Sequence, residues 1–208
     1  MDSKAHWETV YTTKDPTEVS WYRPHLETSL QLIEEAAGGY DARIIDVGGG
    51  ESTLVDDLSA AGYRELSVLD ISRTALDVAK ARMGDSGDAV QWLCGDVTSI
   101  ALPRHHYDVW HDRAVFHFLT DATSRAAYVR QVALAVKPGG HVIVATFGPE
   151  GPTKCSGLDV VRYAPDALHD QFGPAFALEK HTTELHRTPA GSVQQFTYCY
   201  CRVASTLT

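Results

Sequence analysis

The sequence is short of cysteine, methionine and positive charge, and it has no long apolar run. Four cysteines in 208 residues are too few for a disulfide scaffold, and their spacing is not that of a zinc ribbon. Reduced thiols and a cytoplasmic location are therefore expected. Eighteen Lys and Arg against 27 Asp and Glu leave a formal charge of −9. That sign argues against a nucleic-acid partner, which calls for a basic face. No run approaches the roughly 18 apolar residues of a membrane helix, so no membrane partner is expected. The opening Met1-Asp2-Ser3-Lys4-Ala5-His6-Trp7 lacks the apolar centre of a signal peptide.

What is present suits one globular α/β unit. The chain is 44% hydrophobic and 22% charged, enough apolar material for an ordinary core. Strand and helix patterns alternate without a linker or repeat. After Pro24, Leu26, Leu30, Ile33 and Ala37 recur at helical spacing, and Gly38-Gly39 ends the run. A strand over 44–47 is followed by a helix near 52–61 with Gly62 as its stop. Leu66-Ser67-Val68-Leu69-Asp70 reads as a second strand, and Ser72 caps the helix that carries Leu76, Ala79 and Met83. Val90-Gln91-Trp92-Leu93-Cys94 and Tyr107-Asp108-Val109-Trp110-His111 read as strands three and four. A helix with Tyr128, Val129, Val132 and Val136 leads to Pro138-Gly139-Gly140 and a fifth strand over 141–147. Such alternation implies a largely parallel sheet. Residues 175–186 and 193–203 break the rhythm: joined by the turn Thr188-Pro189-Ala190-Gly191 with no helix between them, they must pair antiparallel.

The most informative stretch is Ile44-Ile45-Asp46-Val47-Gly48-Gly49-Gly50-Glu51-Ser52-Thr53-Leu54. A β-branched run ends in an acid and three glycines, then opens into a helix. Glycine lets the backbone approach a ligand and take positive φ. A strand, a turn without side chains and a helix N-terminus form a cradle at the sheet edge where open α/β folds bind ligands. The pattern points to a nucleoside-containing cofactor.

With Asp70 at the end of strand two, Gly95-Asp96-Val97 after strand three and Lys137-Pro138-Gly139-Gly140 before strand five, the chain resembles the class I S-adenosylmethionine-dependent methyltransferases over roughly residues 40–203. The resemblance implies a Rossmann-like, seven-stranded, mostly parallel sheet with an antiparallel C-terminal hairpin and helices on both faces. It implies a lid-like helical segment over 1–39 and a methyltransferase domain over 40–208, one structural domain in all. It also implies S-adenosyl-L-methionine as cofactor. Asp46, Gly48, Gly49 and Gly50 would cradle it. Asp70, followed by Ile71, would accept from the ribose hydroxyls, since a carboxylate takes two charge-assisted bonds from a vicinal diol. Asp96 and Val97 would meet the adenine. A nicotinamide-binding fold shares the glycine turn, but Thr53 stands where its third glycine belongs, and the C-terminal hairpin leaves no second nucleotide-binding half.

Methyl transfer from a sulfonium asks for positioning, and for proton removal when the acceptor is an amine or hydroxyl. Residues after strand four lie at the ligand edge. His111 and Asp112 are therefore the candidate bases, with His111 nearest the transferred methyl. Arg113 would hold an anionic acceptor or pair with a carboxylate. His117, Cys155 and Arg162-Tyr163 are candidates for the acceptor pocket, together with the His186-Arg187-Thr188 corner. Cys155, in the Gly- and Pro-rich segment 146–158, reads as nucleophile, soft ligand or packed small residue. His105 and His106 precede strand four, at the opposite edge from His111 and His117, so these four histidines form no metal site. Cys199 and Cys201 share a strand face and read as core. Trp21, Tyr22 and, more weakly, Tyr11 would fold over the cofactor as a lid.

The acidic balance favours a small-molecule acceptor, with a thiol or amine as nucleophile. A protein acceptor is the alternative, as in lysine methyltransferases. Those often show Asp-Lys-Gly-Thr after strand four, whereas this chain reads Asp112-Arg113-Ala114-Val115. A sensor that binds the cofactor without catalysis is the third reading.

Overall fold

In the computed structural model the described residues are 3–205; residues 1–2 and 206–208, the outer ends of the two expected segments, lie outside them. Helices α1 (Ser3–Thr13) and α2 (Glu27–Ala37) precede strand β1 (Arg43–Val47). Then follow α3 (Leu54–Ala61), β2 (Glu65–Asp70), α4 (Arg73–Met83), β3 (Gln91–Cys94), β4 (Tyr107–Arg113), α5 (Ala122–Ala135) and β5 (Val136–Phe147). A two-stranded ribbon, β6 (Lys154–Cys155) and β7 (Leu158–Asp159), and a short α6 (Pro165–His169) lead to β8 (Phe176–Arg187) and β9 (Val193–Val203).

Seven strands form one sheet in the order β3-β2-β1-β4-β5-β9-β8. The first five run parallel; β9 inserts antiparallel between β5 and β8. This is the sheet that the sequence resemblance implied. Strand order reverses at β1 and β4, whose carboxyl ends flank a crevice of the kind that takes ligands in open α/β sheets. Leu32 and Ile33 of α2, Leu54 and Leu58 of α3 and Leu76 of α4 pack on one face with Ile44, Val109 and Ile143. Tyr128 and Val132 of α5 and Leu168 of α6 pack on the other with Ile45, Trp110 and Val144. Among the described residues no helix is long and apolar enough to cross a membrane.

Local chemistry explains most boundaries. Gly38 and Gly62 close α2 and α3 in left-handed conformation, where glycine carries no Cβ penalty. The Ser72 hydroxyl accepts from Ala75 N and starts α4; the Asp121 carboxylate accepts from Ser124 N and starts α5.

Three boundaries differ from expectation. α3 begins at Leu54 rather than Ser52, whose hydroxyl accepts from Leu54 N at 3.2 Å, so the glycine turn is two residues longer. β5 starts at Val136, and the Lys137-Pro138-Gly139-Gly140 stretch is an irregular strand start with a register shift against β4. Most consequentially, β4 continues two residues beyond His111, to Arg113. His111, Asp112 and Arg113 therefore alternate across the sheet. Within the helical segment expected over 1–39, the spacing predicts a helix only after Pro24; α1 lies ahead of it.

Candidate functional site

The carboxyl ends of β1, β2, β3 and β4 are tied together before any ligand is considered. Gly48 N donates to Leu69 O at 2.6 Å, and Gly95 N to Asp70 O at 2.9 Å. Gly48 sits at φ 68°, and a Cβ there would lie 1.9 Å from Val115 Cγ2. The turn after β4 thus packs straight onto the glycine. Gly48→Ala is expected to lose roughly 2–3 kcal/mol of stability from backbone strain plus overpacking, measured by denaturant unfolding. Gly50 also has positive φ; a Cβ there would crowd the Tyr11 hydroxyl and the Asp70 carboxylate. A Cβ on Gly49 would meet Val68 and Asp46 behind the turn, so Gly49 is small for packing, on the side away from the larger cavity described next.

A cavity of about 390 Å³ opens at this edge. Its floor is Gly48, Leu69, Asp70, Ile71, Asp96 and Val97. Its walls include Trp7 and Tyr11 of α1, Trp21, and Phe118 from the turn after β4. Their rings meet nearly edge to face: Trp7–Phe118 centroids lie 5.1 Å apart, Trp7–Trp21 5.9 Å and Tyr11–Trp21 6.4 Å. Cys155, Leu158 and Asp159, from the β6–β7 ribbon, close another side. A second chamber of about 50 Å³ lies behind the glycine turn, among Asp46, Glu51, Ser52, Tyr22, Arg23 and His111. Gly48, Tyr11, Trp21 and Arg113 line both chambers.

Asp70 is buried and its charge is costly there. Burial pushes its carboxyl up to about 7, helped by the charges of Asp46 and Glu8 and opposed by the Ser72 and Gly50 amides. One oxygen accepts from Ser72 N at 2.8 Å. Asp96 turns its own loop by accepting from Thr98 N and Oγ1. In the smaller chamber, burial raises Glu51 to about 7, with Arg82 lowering it and Asp15 raising it. Its Oε2 is buried with no partner.

The residues expected to act as bases are committed elsewhere. His111 is 1% exposed. Its Nδ1 donates to Asp46 Oδ1 at 2.7 Å and its Nε2 lies 2.9 Å from Ser29 Oγ, which in turn contacts the Tyr198 hydroxyl at 3.2 Å. The ring backs the smaller chamber and has no nitrogen left to take a proton from an acceptor in the larger one. Asp112, one residue on, faces the other side of the sheet. It accepts from Val115 N, Phe116 N and the Tyr128 hydroxyl at 2.8, 3.1 and 2.6 Å, and burial raises it to about 6 against the pull of those bonds and of His111. It shapes the turn in which Ala114 takes φ 78°. The expectation of a strand-end His–Asp base pair fails because β4 does not end at His111.

Arg113 returns to the cavity side. It donates to Glu184 Oε1 at 3.1 Å and to the Tyr198 hydroxyl at 3.2 Å, over the Phe196 ring at 4.1 Å. Burial raises Glu184, but the charge and hydrogen bond of Arg113, a bond from Thr28 and the charge of Arg23 together outweigh it, so the carboxyl ends below its ordinary value. The charge of Arg113 is thus already paired.

The expected acceptor residues are scattered. Cys155 lines the larger chamber, its thiol raised by burial to about 11, which disfavours a thiolate. His117 is buried beside Phe118 and Phe147, with Nδ1 accepting from Phe147 N at 3.2 Å; burial, with the Arg113 charge, lowers it to about 3. Arg162 donates to the Pro149 and Gly151 carbonyls, and Tyr163 packs with Phe116 in the core. His186 donates to the Ser20 carbonyl at 2.8 Å. None of His117, Arg162, Tyr163 or His186 borders either chamber. Trp21 and Tyr11 border both, Tyr22 only the smaller. Cys199 and Cys201 are in the core, as read from the sequence.

Sequence reasoning missed the helical setting of Trp7, and it missed Phe118 altogether. The signal for the first was the i, i+4 spacing of Trp7 and Tyr11, which puts both rings on one helix face. It also missed Ser29, which reaches His111 from α2 and carries no local signal.

Comparison with known proteins agrees with the fold. Residues 44–140 match the methyltransferase-domain family. A ubiquinone biosynthesis O-methyltransferase from Citrobacter koseri is 29% identical over 178 residues, covering 77% of this chain and 72% of that protein. Across such curated relatives the matched share of the relative's length runs from 57% to 72%. Among solved structures, that of conversion of a disulfide bond into a thioacetal group during echinomycin biosynthesis superposes with a TM-score of 0.75 at 16% identity, covering 97% of this chain and 92% of that one. The N-methyltransferase NodS from Bradyrhizobium japonicum WM9, in complex with S-adenosyl-L-homocysteine, superposes with a TM-score of 0.70 at 14% identity, covering 97% and 99%.

Proposed function

We propose that this chain, which belongs to the class I S-adenosylmethionine-dependent methyltransferases, transfers the methyl group to a small-molecule nucleophile, a thiol before an amine. The observation that carries the reading is the pair of chambers sharing Gly48, Tyr11, Trp21 and Arg113. The residues fit the cofactor. Asp70 and Asp96 offer carboxylates on the larger floor for a nucleoside. Glu51 offers a buried oxygen without a partner on the glycine-turn side, where an ammonium group would supply one. When bound, S-adenosylmethionine supplies a methyl already activated on sulfur.

The protein's part is to bind, orient and exclude water. The aromatic walls Trp7, Tyr11, Trp21 and Phe118 keep water from the larger chamber and favour an apolar or flat acceptor. Such walls also suit a cationic centre. Among the described residues, the titratable side chains around that chamber are Tyr11, Asp70, Asp96, Arg113, Cys155 and Asp159, with no histidine among them. An acceptor that ionises near neutrality, as thiols do at about 8.5, suits a wall without a free imidazole. Residues 1–39 act in this reading as the lid to the domain of 40–208.

Turnover of S-adenosylmethionine tests it, with small aliphatic and aromatic thiols, arylamines, catechols and a lysine peptide as acceptors. Methylation of thiols with product rising between pH 7 and 9 is expected. Methylation of the peptide alone would replace the reading with a protein acceptor. Tight cofactor binding with no turnover of any acceptor would favour the sensor.

A further inference from the structure

The aromatic wall is carried largely by α1, whose apolar contacts are mainly those of the wall's own rings with Trp21 and Phe118. Only Val10 of α1 is buried, and the helix shows no strong apolar face, so hydrophobic packing alone anchors it poorly. Trp7 and Tyr11 reach from it over the larger chamber. Between them Glu8 reaches the other way, to a helix some 65 residues later in the chain. Its Oε1 accepts from Arg73 N at 2.8 Å, and its Oε2 from Ser72 Oγ at 2.9 Å and Thr74 N at 3.2 Å.

The first amides of a helix have no partner within it, and a carboxylate there also meets the positive end of the helix dipole. α4 already has its own cap, Ser72, which accepts from Ala75 N. Glu8 is a second cap supplied from the lid. The same Ser72 donates its amide to Asp70 Oδ1 at 2.8 Å. A line of hydrogen bonds therefore runs from Glu8 on the lid, through Ser72, to the carboxylate on the chamber floor. Burial pushes the Glu8 carboxyl up, and the bonds from Thr74, Arg73 and Ser72 outweigh it and hold the group down at about 2. It stays ionised at any ordinary pH.

We infer that Glu8 is a positioning residue: it latches α1 onto the N-terminus of α4 and so sets how long the aromatic wall stays closed over the larger chamber. The inference rests on reading that chamber as the cofactor site. Opening the latch releases α1 with Trp7 and Tyr11, which lets the cofactor leave; closing it restores the bond line to Asp70.

Two measurements test the latch. The first is stopped-flow dissociation of S-adenosylhomocysteine, followed by tryptophan fluorescence, in the wild type, Glu8→Ala, Glu8→Gln and Thr9→Ala. Thr9 is exposed, and its hydroxyl bonds only the Ala5 carbonyl within α1, so it is the control. Loss of two or three charge-assisted bonds predicts a dissociation rate raised about tenfold or more in Glu8→Ala, an intermediate rate in Glu8→Gln, and no change in Thr9→Ala. The second is acrylamide quenching of the cofactor-free proteins, where Glu8→Ala should expose Trp7 and raise the quenching constant. A Glu8→Ala protein with wild-type dissociation and wild-type quenching would overturn the latch. If Glu8→Ala does not fold, Glu8→Gln decides on the same two readouts. If the wild type does not bind S-adenosylhomocysteine, the cofactor reading fails. Quenching then decides the latch alone: raised in Glu8→Ala it supports it, unchanged it refutes it.

Discussion

Asp70→Asn is expected to weaken S-adenosylhomocysteine binding by about a hundredfold or more. A hydrogen bond to a charged group contributes about 1.5–3 kcal/mol, and each 1.4 kcal/mol is a factor of ten in affinity. Two ribose hydroxyls donating to one carboxylate thus account for roughly 3 kcal/mol or more. Asn keeps an oxygen for the Ser72 amide, which now takes one carboxylate oxygen at 2.8 Å, so the fold should survive. The wild type should carry a matching pH dependence. Burial, with Asp46 and Glu8 nearby, lifts the Asp70 carboxyl to about 7. The ionised form is the better acceptor, so affinity is full above that value. It falls as pH drops below it, by up to about tenfold per unit. Asp70→Asn should be flat over the same range. Calorimetric titration at pH 6, 7 and 8 measures both; a variant with wild-type affinity would remove Asp70 from the site.

His111→Ala should act on stability first. The ring is buried between Asp46 and Ser29, at 2.7 and 2.9 Å. Its removal leaves a buried carboxylate unpaired and a cavity behind it. Such losses cost about 3–5 kcal/mol, which in a domain of this size is a drop of roughly 10 °C or more in Tm. Turnover of the folded fraction should fall less than the removal of a general base would require, typically 10²–10⁴-fold. Differential scanning fluorimetry alongside single-turnover rates separates the two. An unchanged Tm with turnover abolished would restore His111 as the base.

The contrast between these two residues shows what was legible in the sequence. The position of Asp70 could be read because it follows from a local event, the end of a strand beside a glycine turn. The same holds for Gly48, Asp96 and Val97, and for the C-terminal hairpin, whose strands are neighbours in sequence. His111 was misread by two residues of strand length. β4 runs on to Arg113 because Asp112 pairs with Val47 and Val144 in the parallel ladder, and nothing local marks that end. Alternation then sends His111 into a buried pair and Asp112 through the sheet to Tyr128. The side chains that occupy His111 come from β1 and α2, 65 and 82 residues earlier, and Asp112 is held by Tyr128 of α5 and by the amides of the turn that follows it. α1 was not located within the segment 1–39 for a related reason: its apolar face is weak, and the partners of its Glu8 carboxylate lie some 65 residues later. Arg162 and Tyr163 follow the Gly- and Pro-rich segment 146–158, and their contacts carry them away from the chamber: Arg162 turns onto that segment's carbonyls and Tyr163 into the core. Of the acceptor candidates in this region, Cys155 of the ribbon borders the chamber.

The central claim is that the two chambers around Gly48 together hold one S-adenosylmethionine molecule. Calorimetric titration of the wild-type protein with S-adenosylhomocysteine, with NAD in a parallel cell, tests it most directly. Saturable binding of the first at one site, in the micromolar range of about −8 kcal/mol, is expected, with no heat from NAD. Binding of NAD alone, or of neither, would contradict it.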